Sequence, residues 1–447
     1  MFVRDNLPPA LLQPDLLLGM PHLRFPARLN CAWELLDGAG SLDRSKRLAV
    51  LSPHGVRWTY GQLTAEVSRI VHVLTEDLDL VPGNRVLLRG ANTPMLAAIW
   101  LAVVRAGGVV VAAPMSLRGQ ALAHVIDKAR VTHVLCESAL RSELAATGRA
   151  PRTMYFLDDE ADTGTGTTLE QAMVTKPDWS LPVDTTATDP CLIAFTSGTT
   201  GTPRATIHSH RDVMAACNSF PLHVLRATGD DRFIGSASLT STYGLGGLLL
   251  FPLHVGATTV LLDDPTPRQL ARSISKFKAT VCFGAPDIYR AVCAERTTYD
   301  MSSLRECVST GEPLPTETRR RWKRRTGSGL IDGLSSTEMF HIFVAMRGEE
   351  AWTRPGAMGR PVPGYLTAIV DESGRPLPHG EVGALAVKGP TGCRYLDDDE
   401  RQQDYVRNGW NFTGDACWTD EYGFLYYHSR TGGPLSGSGL PRDSHAG

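Results

Sequence analysis

The sequence predicts an α/β fold organised around parallel sheets, followed by a smaller β-rich unit. Two observations carry this. Through the first third, and again from Cys191 to about Ile331, short continuous apolar runs alternate with segments apolar at helical spacing. Strands buried on both faces read that way, because helices must cover both sides of a parallel sheet. After Arg360 the texture changes to short strands split by turn signals, which reads as all-β.

The elements follow in order. Tyr60 to Leu74 places Leu63, Val67, Ile70, Val71 and Leu74 on one helical face, and Arg85 to Arg89 is a short strand. Thr93 to Arg105 is helical and Gly108 to Ala113 is a Val-rich strand. Gly119 to Ala129 is helical, and Val131 to Cys136 is a strand. The polar stretch Asp162 to Thr168 marks a loop between two lobes, about 1–170 and 171–355. Beyond them, Tyr365–Val370 and Gly383–Lys388 are strands of a β-rich subdomain, about 356–430. The last 17 residues, Thr431 to Gly447, hold five Gly, three Ser and two Pro, and are expected to form a disordered tail.

Composition excludes several classes. The 447 residues suit roughly three compact units. Lys plus Arg number 45 and Asp plus Glu 47, a formal charge of −2, which argues against a dedicated nucleic-acid binder. The strongest charge run, Arg319 to Arg325, reads as a solvated helix face whose basic end complements the dipole before Gly327. Nine scattered cysteines without a CxxC pair suggest reduced thiols and a cytoplasmic protein. His208 and His210 share strand spacing, but no third ligand for a metal is evident. The most apolar stretch, Leu96 to Pro114, is interrupted by Arg105 and Gly107-Gly108, so no membrane anchor is expected.

The chemistry concentrates in Ile193-Ala-Phe-Thr-Ser-Gly-Thr-Thr-Gly-Thr-Pro-Arg204. An apolar strand runs into a loop where Thr196, Ser197, Thr199 and Thr200 interleave with Gly198 and Gly201. Glycines let backbone N–H groups face a ligand, hydroxyls add donors, and Arg204 adds a positive charge, a combination suited to polyphosphate. GxxxxGK[ST] is absent, and Ala205 to His208 continues as strand, so this is not a Walker A loop. Taken alone, the run also suits a plain hairpin turn.

The whole stretch resembles the phosphate-binding loop of the AMP-forming acyl- and aryl-CoA synthetases, the adenylate-forming superfamily. Arg204 stands where that family more often has Lys, and Ala205 where it often has Gly. Asp332-Gly-Leu-Ser-Ser-Thr-Glu338 resembles its adenine and magnesium motif, Trp410-Asn-Phe-Thr-Gly-Asp415 its ribose segment, and His428-Ser-Arg430 carries the arginine that follows. Leu101 to Gly108 resembles a structural motif of the first lobe. The likeness covers about residues 25 to 431 and implies two Rossmann-like αβα sandwich lobes plus the β-rich subdomain.

It also implies roles. Thr337, Glu338 and Arg204 would be catalytic, with Glu338 an oxygen ligand for Mg²⁺ on ATP. Thr196 to Gly201 would cradle phosphate, Asp332, Gly333 and Leu334 would meet adenine, and Asp415 and Arg430 the ribose. Tyr243, Gly244, Gly311, Glu312 and His341 would form the acid pocket. Leu239 to Leu248 lines that pocket in the family; it is not GxGxxG, since Leu249 takes the last glycine's place. Thr337-Glu-Met-Phe-His-Ile-Phe343 resembles the benzoate-type subgroup, and Thr202–Val213 and Arg24–Leu36 resemble its 2-aminobenzoate–CoA ligase branch. A lone histidine among Met339, Phe340, Ile342 and Phe343 would otherwise read as core.

The resemblance thus implies an enzyme that takes an aromatic acid, ATP with Mg²⁺, and CoA, as a monomer or homodimer, without nucleic-acid or membrane partners. In relatives, a C-terminal domain with a catalytic lysine follows the ribose arginine. Here no lysine lies beyond Lys388. The sequence therefore also suggests a chain lacking the C-terminal α+β domain, and a catalytically impaired nucleotide or aryl-acid binder as the alternative.

Overall fold

The parallel strands His133–Glu137, Arg85–Arg89, Val109–Ala112 and Pro190–Thr196 form the middle of a six-stranded sheet. Arg152–Phe156 joins one edge in parallel and Arg204–Ser209 the other edge antiparallel. The computed structural model describes residues 1–38, 44–157, 167–196 and 203–430. The helix Tyr60–His72 opens with a capping box between Thr59 and Gln62, which satisfies its first free N–H groups. Pro94–Arg105 begins with Pro at its first turn and is capped by Thr93. It is apolar nearly all round because it is buried nearly all round.

The second sheet has 14 strands. Its parallel centre runs Gly329–Ser335, Glu306–Ser309, Val281–Gly284, Arg232–Gly235, Thr258–Val260 and Leu48–Leu51. Ile342–Met346 and Ala357–Pro361 extend it antiparallel and connect it to Leu425–Arg430, Trp410–Thr419, Gly383–Lys388 and Leu366–Val370. The β-rich segment thus continues the second sheet edge to edge.

The sheets do not divide the sequence at residue 170. Pro190–Thr196 and Arg204–Ser209 belong to the first sheet, whereas Leu48–Leu51 and Arg57–Thr59 belong to the second. The expected lobes of 1–170 and 171–355 are therefore interleaved, not contiguous. A short apolar strand carries no information about which of two sheets it will join. The polar loop's residues 162–166 and the tail 431–447 lie outside the described residues.

The architecture brings the carboxyl ends of Pro190–Thr196, Glu306–Ser309 and Gly329–Ser335 to one side. Open α/β sheets bind ligands at such ends.

Candidate active site

Two adjoining cavities lie there, and both are lined by Leu334, Ser335, Asp415 and Arg430. The larger is about 690 Å³, a size that suits a small-molecule ligand. Asp332 lines it from the middle of its strand, beside Gly333 and Leu334. Burial pushes the Asp332 carboxyl up to about 6, against the pull of Arg319 and of backbone N–H donors. Arg319 Nη2 stands 3.8 Å from Asp332 Oδ2, and its Nη1 donates to the Leu330 carbonyl.

Asp415 and Arg430 face each other in register on neighbouring antiparallel strands. Arg430 Nη1 is 3.4 Å from Asp415 Oδ1. The aspartate side chain is 6% exposed and the arginine 59%. Burial raises the Asp415 carboxyl's pKa and Arg430 opposes the rise. A buried acceptor beside an exposed donor is what a pair of vicinal hydroxyls can engage.

The smaller cavity holds Glu338, Arg204, Ser336, Tyr395 and Tyr405. Tyr395, kept protonated by burial, donates its phenolic O–H to Glu338 Oε1 at 3.0 Å. Asp371, Glu372 and Asp404 line the same cavity, so its acidic donors are hard oxygens, the chemistry Mg²⁺ prefers when phosphate oxygens complete its shell. Arg204 opens the return strand directly opposite Thr196. Ser197, Gly198, Thr199, Thr200 and Gly201 of the expected phosphate loop lie outside the described residues.

Tyr243 and His341 sit apart from both linings, in an aromatic cluster. The Tyr243 hydroxyl donates to the Val308 carbonyl at 2.9 Å, with the Gly284 carbonyl oxygen 3.2 Å away as the alternative acceptor. His341 packs among the rings of Phe220, Tyr243, Phe251 and Phe283, with Phe251 edge-on at 4.5 Å. Burial pushes its imidazole down to about 3, so it is neutral. Nε2 lies 3.3 Å from the Tyr243 carbonyl and donates to it, which leaves Nδ1 as a buried acceptor without a partner. The glycines before this cluster serve close packing. A Cβ at Gly246 would come within 2.6 Å of His341 Cδ2, and one at Gly247 within 2.3 Å of the Phe283 ring.

Three groupings differ from the sequence reading. Gly311 and Glu312, expected with the acid pocket, line the larger cavity with Asp332 and Asp415 instead. They follow the strand Glu306–Ser309, whose carboxyl end opens there. Arg319, expected on a solvated face, is buried and turned to Asp332. The helix Thr316–Thr326 buries Thr318, Arg319, Trp322 and Thr326, and the spacing of Trp322 was the available signal for that inner face. His208 and His210 also part: His208 ends inside the strand, and His210 starts the next helix. His210 Nδ1 accepts the Cys31 backbone N–H at 3.2 Å, with the Cys31 and Cys191 thiols close by. Its lone pair is thereby spent on a helix N-terminus.

The AMP-binding enzyme family matches residues 41–394. The chain belongs to that family. It is 29% identical over 434 residues to the benzoate–CoA ligase of Thauera aromatica, covering 94% of this chain and 80% of that protein. It is 31% identical over 382 residues to the anthranilate–CoA ligase of Pseudomonas aeruginosa, covering 82% and 71%. The crystal structure of the anthranilate CoA ligase AuaEII in complex with anthranoyl-AMP superposes with a TM-score of 0.86 at 26% identity, covering 92% of this chain and 80% of that one. The α/β fold and the AMP-forming acid–CoA ligase class expected from this family member's sequence are thus borne out. No helix among the described residues is long and apolar enough to cross a membrane.

Proposed function

We propose that this chain activates an aromatic carboxylic acid of the 2-aminobenzoate or benzoate type as its acyl-AMP, with residues 1–430 as the adenylate-forming unit. The carrying observation is the pair of adjoining cavities that share Asp415 and Arg430, one bearing Asp332 and the other Glu338 and Arg204.

In this reading a carboxylate oxygen of the acid attacks the α-phosphorus of ATP. The bond to the bridging oxygen breaks, and its electron pair leaves with pyrophosphate. CoA thiolate then attacks the acyl carbon and AMP departs. Arg204 and the Thr196–Gly201 loop screen the phosphates, Thr337 donates to the α-phosphate, and Asp415 accepts from the ribose hydroxyls while Arg430 donates. Asp332, with Gly333, Leu334, Gly311 and Glu312 around it, receives the adenine amino group. Glu338 would hold the Mg²⁺, which supplies charge neutralisation at the phosphates. The protein's contribution is preorganised charge and position, so that two anions can approach.

His341 lies outside both cavity linings, so the acid's ring reaches it only where the aromatic cluster opens; an amino substituent there would satisfy the unpartnered Nδ1. Tyr243 and Gly244 would complete the wall. All nine cysteines are free, which suits a reducing cytoplasm.

The test is pyrophosphate exchange with purified protein, Mg·ATP and a panel of acids. Exchange with 2-aminobenzoate exceeding benzoate, and both exceeding octanoate, is expected. An octanoate preference refutes the aryl reading, and saturable ATP binding without exchange for any acid replaces it with a binding protein.

A further inference from the structure

The turn that presents Thr337 and Glu338 is held in a conformation its sequence does not favour. Phe340 has φ of +72°, a left-handed backbone that a bulky residue adopts only where its surroundings impose it. The Ser336 hydroxyl accepts the Met339 N–H at 3.1 Å, Phe340 N–H returns to the Thr337 carbonyl at 3.1 Å, and the Thr391 hydroxyl donates to the Met339 carbonyl at 2.8 Å.

One further contact comes from a different sheet. His208, wholly buried on the strand Arg204–Ser209, places Nε2 2.9 Å from the Thr337 carbonyl oxygen. A carbonyl can only accept, so the proton sits on Nε2. Thr206 Oγ1, 3.4 Å from the same nitrogen, already donates to the Ala194 carbonyl and does not compete as a donor. The ring also stands edge-on to Phe340, centroids 5.1 Å apart at 85°. Nδ1 has no partner, so the Nε2 contact is the polar purpose this buried ring serves.

We propose that His208 is a positioning residue for adenylation: its Nε2–H grips the Thr337 carbonyl and fixes the 336–340 turn, so that Glu338 and Arg204 keep their spacing across the smaller cavity. This rests on the function proposed above. The same strand carries Arg204 at its start and His208 four residues on, so one rigid element sets both walls. Burial keeps the imidazole neutral, consistent with a single-proton donor.

The experiment compares His208→Gln, whose amide nitrogen reaches the Nε2 position, with His208→Asn, whose amide reaches only Nδ1. His208→Met fills the space without a donor and serves if the Asn variant does not fold. Three readouts are taken: deuterium uptake of the backbone amides 336–341 without ligand, Mg·ATP affinity by calorimetry, and kinetic constants in pyrophosphate exchange. Asn and Met should raise uptake in that turn and weaken Mg·ATP about tenfold, the scale of one lost buried hydrogen bond, with KM for the acid unchanged. Gln should stay within about threefold of wild type. Equal uptake and affinity in Asn, Met and wild type, or a Gln variant as impaired as Asn, overturns the proposal. If wild type binds Mg·ATP but activates no acid, the functional reading fails, while uptake and affinity still decide the role of His208.

Discussion

Asp332 is a carboxylate held where ionisation is costly, and its energetics give a signed expectation. Its folded pKa of about 6 exceeds the ordinary value of 3.8. Between those two values the folded state binds more protons than the unfolded one, so stability falls as pH rises through that window. Asp332→Asn should therefore be more stable than wild type at pH 7.5, by about 1–3 kcal/mol, and the difference should vanish near pH 4. Urea titrations of both proteins at the two pH values check this. A variant gain independent of pH would mean that Arg319 already compensates the charge. The same substitution should weaken ATP, because an amide no longer offers two acceptor oxygens. Glu338 belongs to the opposite category, a polar group retained for a ligand. Glu338→Gln should lower pyrophosphate exchange by about 10²–10³, the usual effect of losing one preorganised charged group. Unchanged Mg·ATP affinity by calorimetry would remove the metal role assigned to it.

At the scale of elements, the helix that follows Ser241 shows why a glycine run was hard to interpret. Leu239 to Leu248 suggested a lining for the acid pocket, but Gly247 is required first by contact with Phe283. Gly247→Ala should cost about 1–3 kcal/mol through overpacking, read as a lower denaturation midpoint with an unchanged m-value. Gly246→Ala pushes instead on His341 and should raise KM for the aromatic acid more than KM for ATP. The elements themselves were largely legible. The strand Arg85–Arg89 and the helix onset at Thr93 follow from periodicity and capping, which are local signals. What stayed hidden is non-local. Tyr395 lies 57 residues from Glu338, and His208 lies 129 residues from Thr337, so neither contact leaves a spacing in the sequence. Arg319 was hidden differently, within a run of like charges of which Arg320, Arg321, Lys323 and Arg324 are exposed. Asp332, Asp415 and Arg430 were named from motifs, and they do line one cavity.

For the whole molecule, the β-rich segment is tied to the helix His210–His223 by a buried charge pair. Arg394 Nη1 meets Asp212 Oδ2 at 2.9 Å, with side-chain exposures of 9% and 0%. Burial pushes the Asp212 carboxyl up, but Arg394 and the Ser209 N–H hold it below the ordinary carboxylate range. Removing one partner of such a pair leaves an uncompensated buried charge, so Arg394→Met should destabilise by about 3–5 kcal/mol. Adding Asp212→Asn should restore most of that loss, and equilibrium unfolding of the single and double variants measures it. A double variant as unstable as the single one would mean that the arginine acts by packing alone.

The interleaved strand order also bears on how the protein is made. Leu48–Leu51 pairs in parallel with Thr258–Val260 on one side and with its own hairpin partner Arg57–Thr59 on the other. Its permanent neighbour thus leaves the ribosome roughly 200 residues later, on the order of 10–40 s at ordinary elongation speeds. Throughout that interval a strand of Leu, Ala and Val presents an open edge to solvent, the kind of template that recruits other chains. Yield in the cell should therefore depend on elongation speed and chaperone supply more steeply than equilibrium stability would suggest.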